Sequence, residues 1–375
     1  MRRRQLAFVS IFFALIAFPL VQMAFPFVRI NPVEENRAPA PLPDFRHIIV
    51  DGDGRLATPL NRWFDDLIGF RPLFIRLHNQ LDFWLFHHSA RVYIGQGGML
   101  FMRDFVDTKI AHERAGAPWL QRLQDMFTAL ARHLDGRGIR LVIVTNPAKE
   151  SVYPDRLPPE APHLPSPSQF DKLRAFLSAS SAWIYVDGQS VMGQCGDYPL
   201  YYLTDAHVTM PAGYCIAKEI VSRIAVAEGH PATFWNPSVT YSRKNRFTGG
   251  IGSFLAVLFK PTESIDLPDP LYRVEEPAPE GSFSRDPEGF FQIIYQTHEP
   301  LRAAKLPPMV LYGNSFATDY LRSGALFQFS EVHSVRNNDI PIQDALRKLP
   351  PSTQYMVVQL FEPYLNDALS YEIPQ

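Results

Sequence analysis

Met309-Val310-Leu311-Tyr312-Gly313-Asn314-Ser315-Phe316 reads as a short β-prone run that stops at a glycine and delivers a serine into the turn beyond it. Working outward, similar apolar runs occur at Leu141 to Thr145, around Trp183 to Val186, at Val332 to Val335 and at Tyr355 to Leu360. Between them lie stretches with helical periodicity: Trp119 to Leu134, ended by Gly136 and Gly138, then near Phe170 to Ser178, Pro211 to Ala225, near Ala317 to Leu326, and Ile342 to Leu349. Leu141 to Thr145 is apolar without alternation, as expected of a strand covered on both faces. Strands alternating with helices predict an α/β fold with a mostly parallel sheet. Such sheets carry their active groups at the carboxyl ends of the strands, which is where Ser315 falls.

A partner for that serine stands about a hundred residues earlier, in Leu203-Thr204-Asp205-Ala206-His207-Val208-Thr209. With the carboxylate two positions before the imidazole, one loop can hold the acid against one ring nitrogen and present the other outward. That is the orienting half of a Ser-His-Asp triad. Each fragment alone is weak, because short motifs are common; a Gly-x-Ser after a strand is more often a plain turn. Both lie at predicted strand ends or in the loop that feeds a helix.

Met1-Arg2-Arg3-Arg4 precedes Leu6 to Phe27, an uncharged apolar run interrupted only by Ser10, Pro19, Gln22 and Pro26. It is about twenty residues long, enough to span a bilayer. Arginines before it predict a cytoplasmic amino terminus and a translocated remainder. A cleaved secretory signal is the alternative, but no clean small-x-small site follows Leu20 to Ala24. Beyond the run the composition is that of a soluble globular chain, 46% hydrophobic and 20% charged with formal net charge −2, which argues against a basic face for nucleic acid. The 34 prolines point to many irregular loops. The two cysteines, Cys195 and Cys215, flank the Asp-Ala-His triplet: they can pair in an exported protein or remain buried thiols. No Cys/His spacing of a zinc site occurs, and His87-His88 lacks the companions of a metal site. No cofactor is expected.

Residues 28 to 60 read as a linker containing Glu35-Asn36-Arg37, and residues 61 to 88 as an amphipathic helix or helix pair. Val92 to Phe101 reads as a β-hairpin with a glycine turn. Residues 230 to 305 lose periodicity and read as an insertion or lid, with Thr248-Gly249-Gly250-Ile251-Gly252 at its middle.

These features together resemble the alginate O-acetyltransferase family of the AlgJ/AlgX type. The resemblance runs through the anchor, Glu35-Asn36-Arg37, the aromatic helix, Ile94-Gly95-Gln96-Gly97-Gly98-Met99-Leu100-Phe101, Asn146-Pro147-Ala148-Lys149 with Tyr153-Pro154, the Asp-x-His triplet and Gly313-Asn314-Ser315-Phe316. Asn314 stands where the family usually carries an acid, Val208 where tryptophan often follows Asp-x-His, and Gly250 where the insertion often carries an acid. The resemblance implies an SGNH-hydrolase-like (flavodoxin-like) three-layer sandwich. Its parts would be an anchor at 1–30, a linker and helical extension at 31–100, and a catalytic domain at 101–375 with an insertion at about 230–305. It implies O-acetylation of an exported polysaccharide from the periplasmic side of a bacterial inner membrane, with a membrane-bound O-acyltransferase partner supplying acetyl groups. Ser315 would be the nucleophile, His207 the base and Asp205 its orienting acid. Asn146 and Asn314 are candidate oxyanion donors, Lys149 and Arg336 either contacts to the polymer or solvated surface charges, and Tyr153 either core or a sugar platform. A carbohydrate esterase with the same triad and a non-catalytic polysaccharide-binding scaffold are the alternatives.

Overall fold

The computed structural model describes residues 2–33, 38–43, 57–236, 239–268, 284–285, 292–296, 305–317, 320 and 323–373. Glu35-Asn36-Arg37 lies outside these residues, as does part of the helix expected near 317–326, of which Ala317 and Tyr320 are helical. The chain divides into two compact units, residues 1–90 with 252–261, and residues 91–251 with 262–375.

Among the described residues of the smaller unit are the helices α1 (Arg2–Ala24), α2 (Ala57–Leu67) and α3 (Arg71–Phe86). The amphipathic stretch is thus a helix pair, broken where Phe70 takes a left-handed conformation with φ 63° and Pro72 opens the next helix. Within α1, Gln5–Ala24 is long and apolar enough to cross a membrane by length and composition.

The larger unit starts with a hairpin of β1 (Val92–Ile94) and β2 (Leu100–Met102), turned through Gln96–Gly98. Next come α4 (Arg103–Asp135), β3 (Arg140–Asn146), α5 (Lys149–Val152), α6 (Gln169–Ala179), β4 (Ile184–Asp187), α7 (Gly188–Met192) and α8 (Met210–Ala227). The chain continues through β5 (Tyr241–Phe247), α9 (Gly250–Phe254), β6 (Glu263–Pro268), β7 (Ser284–Arg285), β8 (Gln292–Gln296), β9 (Met309–Gly313), β10 (Glu331–Arg336), α10 (Ile342–Arg347), β11 (Tyr355–Phe361) and α11 (Leu365–Ala368). Helix α4 starts sixteen residues earlier than the periodicity predicts; Gly116, with φ 61°, and Pro118 break its pattern there.

Seven strands form the main sheet in the order β4-β3-β11-β9-β10-β8-β7. The first five run parallel, and β8 and β7 continue the sheet antiparallel. Side-chain alternation divides each central strand between two cores. Val142, Val144, Leu311 and Val357 face a core with Ile216, Ile220 and Ile224 of α8. Leu141, Ile143, Val310, Tyr312, Met356 and Val358 face one with Trp119, Leu123 and Leu130 of α4, Leu173 of α6 and Leu346 of α10. Helices therefore cover both faces, which is why these strands read as continuous apolar runs. The insertion is more ordered than its sequence suggests, since β5 and β6 pair as a separate hairpin and β7 and β8 extend the main sheet.

Candidate active site

Four parallel strands end together where the sequence motifs fall. Phe361 of β11 pairs in register with Asn146 of β3, and Gly313 of β9 with Arg336 of β10. The backbone N–H of Asn314 donates to Gln359 Oε1 of β11 at 3.0 Å, fixing the chain as it leaves β9. Asn314 Oδ1 then accepts from the Phe316 N–H at 3.0 Å, a tight Asx-type turn that leaves Ser315 exposed at its apex.

The loop carrying Asp205 and His207 is closed by a backbone bridge between Tyr201 and Val208. Thr209 ends it by capping α8, accepting from the Ala212 N–H. His207 Nδ1 lies 2.7 Å from Asp205 Oδ1, and His207 Nε2 lies 2.8 Å from Ser315 Oγ. With the Nδ1 proton donated to the carboxylate, Nε2 is left to accept the serine proton. Phe316, buried beneath, holds the imidazole with ring centroids 4.7 Å apart and stacks in turn on Phe361 at 4.2 Å. Asp205 also accepts from the N–H groups of His207 at 3.0 Å and Gly250 at 2.6 Å. Burial pushes its carboxyl up, but the His207 ring and these two N–H groups outweigh it and hold Asp205 at about 2.

Gly250 therefore supplies a backbone donor at a position where an acid would repel Asp205. Its neighbour Gly249 donates to Thr204 Oγ1 at 2.8 Å and lies so close that a Cβ there would sit 2.4 Å from Asp205 Cβ. From β6, Glu263 accepts from the N–H groups of Leu203 and Thr204, both at 2.7 Å, and from Thr204 Oγ1 at 2.6 Å. Tyr202 packs on Phe247 of β5 at 5.2 Å. The insertion is thus the outer wall of the histidine loop. Sequence reading missed Glu263, Gly249 and Gln359, which lie far along the chain from the residues they hold.

Lys149 does not stand at a surface where a polymer could meet it. It is 3% exposed, and its ammonium donates to the carbonyls of Leu100 at 2.8 Å, Leu203 at 3.0 Å and Asp205 at 3.0 Å. Burial lowers its pKa to about 7 against the raising influence of Glu263, Asp205 and Glu150. The expectation of a substrate-contacting lysine is corrected: all three of its protons tie the β1–β2 hairpin to the histidine loop. Tyr153 is likewise internal support rather than a platform, half-buried against Tyr201 at 6.4 Å and accepting from the Leu200 N–H at 3.1 Å. Below this turn Glu362 accepts from the Ala148 N–H at 2.7 Å and pairs with Lys109 at 3.0 Å.

Asn146 is fully buried, its Oδ1 accepting from Tyr320 Oη at 2.7 Å and from Gln359 Nε2 at 2.9 Å. Among the described residues neither its Nδ2 nor that of Asn314 has a hydrogen-bond partner, so two buried donors are left over at the sheet's carboxyl edge. Arg336 is exposed at the end of β10. Cys195 and Cys215 are joined, their Cα atoms 6.0 Å apart, and so enclose the segment with Asp205 and His207. Among the described residues no cluster of His, Cys, Asp and Glu suits a metal ion.

A mostly parallel sheet covered by helices on both faces, with serine, histidine and aspartate in one hydrogen-bonded line at its carboxyl edge, places the larger unit in the SGNH-hydrolase-like class. Residues 92–328 match the family described as SGNH hydrolase-like domain, acetyltransferase AlgX, and the chain belongs to that family. It is 27% identical over 180 residues to the probable alginate O-acetylase AlgJ of Pseudomonas aeruginosa, a match spanning 46% of this chain and 43% of that protein. The chain thus spans less than half the length of this curated relative. Among solved structures it resembles the O-acetyltransferase domain of Pseudomonas putida AlgJ, with TM-score 0.48, 17% identity, and 75% and 94% of the two chains covered. It also resembles Bacillus cereus PatB1, with TM-score 0.46, 11% identity, and 68% and 93% covered.

Proposed function

We propose that this chain is an O-acetyltransferase that moves acetyl groups through Ser315 onto hydroxyls of an exported polysaccharide, alginate or a related polymer. The observation that carries the reading is the line from Ser315 Oγ to His207 Nε2 at 2.8 Å and from His207 Nδ1 to Asp205 at 2.7 Å. As His207 takes its proton, Ser315 Oγ attacks the acetyl carbonyl, and the tetrahedral oxyanion collapses to acetyl-serine as the donor group leaves with that proton. A sugar hydroxyl then repeats the step in reverse, giving its proton to His207 and taking the acetyl group. Asp205, ionised through the working range, keeps the imidazole in the right tautomer and stabilises the imidazolium. The Ser315 N–H with the Asn146 and Asn314 side-chain amides are the donors proposed for the oxyanion, each worth about a hundredfold in rate. Exposed Arg336 is left as the basic residue proposed to contact the polymer. The apolar helix would anchor the chain in the inner membrane with the rest of the chain outside the cytoplasm. The family reading adds a membrane-bound O-acyltransferase that delivers acetyl groups.

Incubation with an activated acetyl ester followed by peptide mass mapping tests the reading. An acetyl group on Ser315, lost on adding acceptor oligosaccharide and found on the sugar, is the expected result. Transfer to water alone would make the protein an esterase. Polymer acetylation undiminished in Ser315→Ala would remove the nucleophile and leave a scaffold.

A further inference from the structure

The smaller unit turns an apolar face outward. On α3, Leu73, Phe74, Leu77, Leu81, Trp84 and Leu85 are 38–67% exposed. At 100° per residue they fall within an arc of about 120°, so they form one stripe along the helix. The opposite side of α3 is the packed one: Asn79 donates to the carbonyls of Leu255 at 3.1 Å and Ala256 at 3.3 Å. The segment packed there adds Leu258 and Phe259, 38% and 67% exposed, and Phe259 stacks on Trp84 at 5.8 Å. A soluble chain rarely leaves so continuous an apolar surface without a partner.

Where α3 sits says what the partner is. The α2–α3 corner rests on the end of the membrane-length helix: Phe18 stacks on Phe70 at 4.9 Å, and Phe27 meets Phe70 edge-on at 6.0 Å. A Cβ on Gly69 would come within 2.3 Å of the Pro19 carbonyl, so the corner touches the α1 backbone itself. Twenty residues of α1 rise about 30 Å, the thickness of the hydrocarbon layer, and Phe18 lies six residues, about 9 Å, before its end at Ala24. Gln22 then binds both the N–H and the carbonyl of Val28 just beyond the helix, and Arg76 of α3 donates to the carbonyls of Asn31 at 2.9 Å and Pro32 at 2.8 Å. Helix α3 is therefore fastened at Phe70 and again at Arg76 to the point where the chain leaves the bilayer. Its leucines, phenylalanines and tryptophan are the residue types that settle at the lipid–water boundary.

We infer that α3, with Leu258 and Phe259, lies on the lipid bilayer as an interfacial docking face continuous with the anchor. This rests on the anchoring reading above. The test uses the full chain in nanodiscs of phosphatidylethanolamine and phosphatidylglycerol, with an environment-sensitive fluorophore on Leu77→Cys or Leu81→Cys, and on Phe13→Cys and Glu160→Cys as controls. Spin-labelled lipids should quench the Leu77 and Leu81 positions at least twofold, more strongly from a shallow label than from a deep one. Phe13 should be quenched and Glu160 should not. Quenching at Phe13 without quenching at Leu77 and Leu81 would overturn the docking face and leave the anchor standing, whereas an unquenched Phe13 would sink the anchor itself. A blue shift at Leu77 and Leu81 found in native membranes but absent from pure-lipid nanodiscs would assign the face to a protein partner and also overturn the inference.

Discussion

Asp205 and Lys149 are the two residues whose surroundings give the sharpest expectations. The Asp205 carboxyl sits at about 2, below its ordinary value of 3.8, so its ionised form stabilises the fold. That contribution is fully present above pH about 4 and is lost as pH falls through about 2; it amounts to about 2 kcal/mol as an order of magnitude. Urea unfolding between pH 2 and 5 should show a steeper acid loss in wild type than in Asp205→Asn, and equal slopes would contradict the pairing. Lys149 is shifted down as well, but for a base a lowered pKa means that burial disfavours the charged form. Its pKa falls from 10.5 to about 7 on folding, so the unfolded chain holds the extra proton between those values and stability rises with pH across that window. Lys149→Met should flatten this rise. Because the same ammonium holds the Leu203 and Asp205 carbonyls, the substitution should also lower kcat at least tenfold with little change in KM, the mark of a positioning group rather than a polymer contact. A raised KM at unchanged kcat would return Lys149 to the substrate.

At the scale of elements, the β5–β6 hairpin and the glycines between its strands act as a buttress for the histidine loop. Gly249→Ala would bring a methyl group to 2.4 Å from Asp205 Cβ, 2.6 Å from Oδ2 and 2.7 Å from the Thr204 carbonyl, and backbone cannot yield at those distances. Activity should fall at least tenfold while far-ultraviolet circular dichroism stays unchanged, because the collision is confined to the loop; full activity would show that the loop can move aside. Much of this architecture was legible beforehand. Strands β3, β9 and β11 announced themselves because burial on both faces makes their sequences apolar throughout, and Asp205 and His207 because their relation is local, two residues apart. Glu263 was invisible for the converse reason: it lies fifty-eight residues after Asp205, in a stretch without periodicity, and its partners are mainly backbone N–H groups that no sequence pattern records. Lys149 misled because a lone basic residue near a cleft reads as solvated, whereas three carbonyls converge on it. In α4, Gly116 and Pro118 hid the first half of a helix whose register resumes beyond them.

At the scale of the whole molecule, two independent features support the proposed placement of the larger unit outside the cytoplasm. Arg2, Arg3 and Arg4 abut the apolar helix, while Arg29 and Arg37 are the basic residues within about fifteen positions after it, and this bias favours the proposed topology with the amino terminus in the cytoplasm. A disulfide between Cys195 and Cys215, whose Cα atoms lie 6.0 Å apart, would form and persist in an oxidising compartment and is rare in the cytosol. Neither depends on the other, since one is read from charges around α1 and the other from a crosslink some 170 residues later. Alkaline phosphatase needs export to fold, so its fusion after residue 60 should be active, and a reporter that works only in the cytoplasm should be silent at the same junction. Replacing Arg2, Arg3 and Arg4 with serine should lower the phosphatase signal by weakening the bias. Non-reducing peptide mapping of the full chain should find Cys195 and Cys215 in one crosslinked species. A silent phosphatase fusion together with two alkylatable thiols would place the triad in the cytoplasm, out of reach of an exported polymer, and the polysaccharide reading would fall with it.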